Sequence, residues 1–124
     1  MAWPWLSLLT RPVLAQPPAV ASIMLRALTD MPGKAVVRRT VASPPGGSDP
    51  VHRHEAHGFL DVLEGAVVRQ GQGGPAVTRT PGQTVDEGPD DGPVVGRNAS
   101  TTRPATCLVL LVKDPGAPTL VPVK

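Results

Sequence analysis

The chain has 124 residues, with 12 basic and 10 acidic side chains, a net charge of +2 and 40% hydrophobic residues. That length fits one domain with a single core. The charge is too small and scattered for a nucleic-acid face, since Arg38–Arg39 is the only adjacent basic pair and Tyr is absent. The lone Cys107 excludes an internal disulfide and any cysteine-pair zinc or redox motif.

Residues 1–21 read as a segment preceding the domain, and residues 22–124 as the domain itself. MAWPWLSLLTRPVLAQ, residues 1–16, has an apolar stretch, and VLA before Gln16 resembles a small-residue cleavage site. No basic residue stands at positions 1–10, and Arg11 interrupts the apolar run. Two readings stay open here. One is a signal peptide, which implies a periplasmic or secreted protein; the other is an arm preceding a cytoplasmic domain. The stretch is too short to span a bilayer.

From residue 22 onward the pattern is that of short strands. SIMLRAL reads as a first strand, AVVRRTVAS (35–43) as a second rich in β-branched residues, and PPGGSDP (44–50) as a loop. VHRH leads into HGFLDVLEG, where Glu64-Gly65 marks a turn. AVVRQ (66–70), PAVTRT (75–80), QTVDE and PVVGRN follow as strands, separated by turns at GQGG (71–74), Pro81-Gly82 and GPDDG (88–92). ATCLVLLVKD (105–114) is the most apolar run and is expected at the centre of a sheet, and PTLVPV closes the chain. Turns every eight to twelve residues with no helical periodicity predict an all-β sandwich or small barrel. With 13 Gly, 16 Pro and few aromatics, the core must be aliphatic.

All three histidines fall within six residues, as His52, His54 and His57. Two residues apart on a strand, His52 and His54 face the same side, which is half of a metal site. A tight site needs three or more donors. His57 supplies a third only if a bulge at Ala56–His57–Gly58 turns it inward. The alternative is that His52 and His54 line a polar pocket and His57 stands at the rim. Glu55 and Asp61 are expected in solvent. Arg38 and Arg39 alternate on a strand and leave two readings open: an arginine at a sheet edge in solvent, or one that faces inward and pairs with a ligand carboxylate. Asp90 and Asp91 are expected to cap backbone amides of their turn rather than to act as an acid–base pair. Cys107 reads as a small buried hydrophobe, and Asn98-Ala99-Ser100 fits the glycosylation pattern.

GGSDPVHRHEAHGFLDVLEG, from Gly46 to Gly65, resembles the first motif of the cupin superfamily: Gly, five residues, His-x-His, three or four residues, Glu, six residues, Gly. PGQTVDEGPDDGPVVGRN, with Gly82 and Asn98, resembles the second: Gly, five residues, Pro-x-Gly, two residues, His, about three residues, Asn. The resemblance covers roughly residues 35 to 123. It implies a single-domain double-stranded β-helix, the jelly-roll or cupin barrel, often a homodimer and often holding one divalent metal (Fe, Zn, Mn, Ni or Cu). The Pro-x-Gly turn is shifted, reading Gly88-Pro89-Asp90, and two ligand positions depart from the pattern. The Glu position of the first motif is Gly58 and the His position of the second is Pro93, and neither side chain can ligate a metal. Three functions follow as alternatives. The first is a barrel that binds a small organic molecule with a weakened or absent metal site. The second is a metal-dependent enzyme of the dioxygenase or isomerase type using His52, His54 and His57. The third is a non-catalytic dimeric barrel.

Overall fold

The computed structural model describes residues 17–118 and 121–122, and the candidate export segment at residues 1–16 lies outside them. Ten strands are present, and no helix occurs among the described residues. They are β1 (Ala19–Ala27), β2 (Ala35–Ser43), β3 (His52–Arg53), β4 (His57–Glu64), β5 (Val67–Gly71), β6 (Ala76–Arg79), β7 (Thr84–Glu87), β8 (Val94–Asn98), β9 (Ala105–Lys113) and β10 (Val121–Pro122). One sheet runs β1-β2-β9-β4-β7 and the other β10-β3-β8-β5-β6. Every pairing is antiparallel. This is the double-stranded β-helix that the sequence implies.

The period-2 pattern explains why each strand sits where it does. In β9, Ala105, Cys107, Val109, Leu111 and Lys113 are buried and alternate with half-buried residues. This most apolar strand lies between β2 and β4 at the middle of its sheet, paired along both edges. Its inward residues join Val37, Ala56, Val62 and Val67 in one aliphatic core. Burying a Val or Leu side chain contributes about 1.5–3 kcal/mol, so a core without aromatics suffices at this size.

Three local features fix strand ends and turns. Gly65 ends the VLEG segment at φ 74°, and a Cβ built there would lie 2.5 Å from the Pro104 carbonyl oxygen and 2.9 Å from the Ala105 Cα. Only glycine accepts both the left-handed backbone and that close approach. Asn98 is buried, and its amide nitrogen donates to the carbonyls of Ser43, Pro44 and Arg103, while its Oδ1 accepts from the Ser100 N–H. Its side chain therefore pins three chain segments together and is unavailable as a glycan acceptor while the barrel is folded. In the GPDDG turn, the Gly88 N–H donates to Asp91 Oδ2 at 2.6 Å, the amide capping expected of that segment.

Candidate functional site

Between the two sheets lies a partly open cavity of about 260 Å³. Its walls are largely aliphatic: Val41 from β2, Leu60 from β4, Val67 from β5, and Val109 and Leu111 from β9. Cys107 also lines it, and burial pushes its thiol above the ordinary value, which suits a packing residue rather than a nucleophile. Strand alternation then delivers polar groups to one region. Arg39 follows Val37 on the inner face of β2, Arg69 follows Val67 on β5, and His52 and His54 come from β3 and the residue just past it. Asp49, from the loop before β3, completes the group.

His52 is 2% exposed. Its Nδ1 lies 2.7 Å from the Pro50 carbonyl oxygen, so this nitrogen carries the proton and donates, and Nε2 is the acceptor of the neutral ring. Burial pulls His52 below its ordinary value, the Pro50 contact opposes this, and nearby His54 adds to it. The rings of His52 and His54 stand edge to face, with centroids 4.8 Å apart. His54 Nε2 lies 3.0 Å from Glu87 Oε2. The other oxygen of Glu87 pairs with the Arg69 guanidinium, and both side chains are nearly buried, at 12% and 6% exposure. Burial draws Arg69 below its ordinary value against the attraction of Asp49. Burial raises Asp49, while His52, Arg69 and His54 pull it back.

One glycine makes room for this network, and a second lies opposite Glu87. Gly96 of β8 stands opposite Arg69 of β5. A Cβ at Gly96 would lie 2.8 Å from Asp49 Oδ2 and 3.6 Å from Arg69 Nη1, so the missing side chain is the space that the Asp49 carboxylate fills. Gly58 of β4 stands opposite Glu87 of β7, and a Cβ there would lie 3.0 Å from the Leu111 side chain.

The histidine cluster is thus split. His52 and His54 share the cavity wall. His57 does not join them: its Nε2 faces Asp86 Oδ2 at 3.2 Å, its ring stacks on Phe59, and its side chain is 44% exposed. Glu55 pairs with Arg53 at the surface, and Asp61 is exposed. The divalent ion that the resemblance implies would need donors beyond His52 and His54. Gly58 and Pro93 offer none, His54 and Glu87 are tied to each other, and Glu87 is tied to a buried cation. Among the described residues, no three His, Cys, Asp or Glu side chains converge as metal ligands. The residues present do not fit a closed metal centre.

Arg39, not Arg38, is the inward member of its pair. Asp49, Arg69 and Glu87 were not singled out by the motif spacing. The one signal for Arg69 was its alternation with Val67 in AVVRQ. Nothing local marked Glu87, whose position depends on the pairing of β4 with β7.

No family model matches the sequence, and no curated protein does. Solved structures do match. A cupin 2 domain-containing protein from Halorhodospira halophila superposes with a TM-score of 0.68 at 17% identity, over 87% of this chain and 71% of that one. The DMSP lyase DddQ from Ruegeria pomeroyi DSS-3 superposes with a TM-score of 0.66 at 22% identity, over 86% of this chain. The chain spans about half of that lyase, 52% of its length. A Klebsiella pneumoniae protein with a double-stranded β-helix domain gives a TM-score of 0.63 at 16% identity, over 87% of this chain and 81% of that one. Paired sheets, inner histidines and these neighbours agree: the fold is that of a small cupin.

Proposed function

We propose that the chain binds a small organic acid in its barrel cavity, without a tightly held metal ion. The observation that carries this reading is the cavity's composition. Arg39, Arg69 and Arg97 line it with one carboxylate, Asp49, among the lining residues; Arg69 is also paired with Glu87, and the rest of the wall is mostly aliphatic. An anionic head would meet guanidinium groups in a partly desolvated site, where charge-assisted hydrogen bonds are strongest. A short apolar body would lie on Val41, Leu60 and Val109. Neutral His52 would offer Nε2 as an acceptor for a hydroxyl or amide.

A thermal-shift screen of small carboxylic acids, sugars and neutral amides, run with and without chelator, tests it. An acid that binds raises the melting temperature with concentration, by about 2.7 kcal/mol of stability at one hundred times its dissociation constant. Arg39→Gln should weaken that shift, and chelator should leave it unchanged. If neither acids nor any other class shift the transition, or if chelator abolishes every shift, the reading is wrong.

Assembly is the second reading, favoured by one feature. β1 is a nine-residue edge strand with Val20, Ile23 and Leu25 exposed at 57%, 52% and 70%. Long apolar edges of this kind invite pairing with another chain. A homodimer through β1 would show as concentration-dependent sedimentation that Leu25→Lys abolishes.

A further inference from the structure

We infer that the cavity takes a zwitterion, a small molecule bearing both a carboxylate and an ammonium group, and that Asp49 receives the ammonium. This rests on the organic-acid reading and narrows it to amino acids. The first support is the state of Asp49. Its side chain lines the cavity, and its backbone N–H donates to the Gly96 carbonyl of β8, which fixes it to the wall of the second sheet. Among the described residues, no side chain donates a hydrogen bond to this carboxylate or forms an ion pair with it. Arg69, beside it across the Gly96 gap, pairs with Glu87 instead. With the imidazoles neutral, two carboxylates stand around one guanidinium, and the group carries one negative charge in excess. Burial raises the Asp49 carboxyl, and the attraction of His52, Arg69 and His54 does not bring it back. That is the behaviour of a buried carboxylate short of a counter-charge.

The second support is where the opposite charge stands. Arg39 belongs to β2 of the first sheet, and Asp49 precedes β3 of the second. Both line the same cavity, with aliphatic wall from Val41, Leu60 and Val109. A ligand lying across that space meets a cation from one sheet and an anion from the other. A simple carboxylic acid would answer Arg39 and leave Asp49 without a donor. It would also bring a second negative charge into a partly desolvated cavity that already holds one, where repulsion is stronger than in water. An ammonium removes that repulsion. It carries three N–H donors, and one of them reaching Asp49 makes a charge-assisted hydrogen bond.

The test is calorimetric titration of the full chain at about pH 8, above the ordinary imidazole value near 6.5. The probes are matched sets: leucine with isocaproate and isoamylamine, γ-aminobutyrate with butyrate, γ-hydroxybutyrate and propylamine, and ε-aminocaproate with caproate and pentylamine. At least one amino acid should bind at least about tenfold tighter than its matching acid and its matching amine, the fold-change of one hydrogen bond between charged groups. In Asp49→Asn, which keeps the shape and drops the charge, that amino acid should fall to the affinity of its acid, while the acid binds as well as before or better. Melting curves without ligand report whether the variant is folded. If it is not, the wild-type sets still decide, because removing the ammonium from the ligand deletes the same contact. If an acid binds and its amino acid binds no tighter, or if γ-hydroxybutyrate matches γ-aminobutyrate, the zwitterion inference fails and the organic-acid reading stands. A preference that survives in folded Asp49→Asn overturns the role of Asp49. If neither acids nor amino acids bind, both readings fall.

Discussion

Replacing Glu87 by Leu tests whether the buried network is what organises the polar end of the barrel. The substitution keeps the bulk at position 87 but leaves Arg69 buried at 12% exposure with Asp49 as its remaining carboxylate neighbour. Removing one partner of a buried pair costs about 3–5 kcal/mol, because the survivor is left charged away from water. Asp49 offsets part of this, so a loss near 3 kcal/mol is expected, at the low end of that range. For a chain of this length that corresponds to a fall of roughly 10 °C in melting temperature. Replacing both partners, as Arg69→Met/Glu87→Leu, removes the orphaned charge and should recover most of the loss. The assay is urea and thermal unfolding of the wild type, both single variants and the double variant. The coupling energy of that cycle should be roughly 2 kcal/mol or more, well above the few tenths expected of independent sites. Singles that each cost under about 1 kcal/mol and add in the double would refute the reasoning, since the two side chains would then behave as solvated neighbours.

Two further outcomes are expected. Gly65→Ala should destabilise the fold by more than about 2 kcal/mol, from the positive φ together with the clash against Pro104 and Ala105, and urea unfolding reads this directly; a change below about 0.5 kcal/mol would mean that the strand end shifts freely. His52 is held neutral, below its ordinary 6.5, so the unfolded chain takes up its proton first on acidification. Its contribution to stability is present above pH 6.5 and is lost as the pH falls toward its folded value. Asp49 acts in the opposite sense: raised above 3.8, it adds stability as the pH falls through its folded value and is protonated. His52→Gln should therefore flatten the fall in stability just below pH 6.5 while leaving the more acidic limb in place. An unchanged slope in that variant would show that His52 titrates normally.

The all-β architecture was legible in the residues themselves because its signals are local. β-branched alternation, Gly/Pro turns and the apolar run of ATCLVLLVKD report a two-residue period and its interruptions, and these require no knowledge of what lies across the sheet. The shared face of His52 and His54 follows from the same period, which also puts Arg38 and Arg39 on opposite faces of their strand without saying which face is inward. That Arg39 is the inward one was decided by the pairing of β2 with β9, which sets Val37, Arg39 and Val41 on the cavity side. The rest of the site has no local signature. Glu87 matters because β7 pairs with β4 and sets it against Gly58, and Arg69 matters because β5 pairs with β8 and sets it against Gly96. Asp49 reaches Arg69 only because Gly96 leaves space for it. The sequence by itself determined the strands, the turns and the facing of the histidine pair, since backbone sterics and side-chain alternation act over a few residues. Tertiary structure alone decided which charges meet, because contacts between residues tens of positions apart depend on strand order and register.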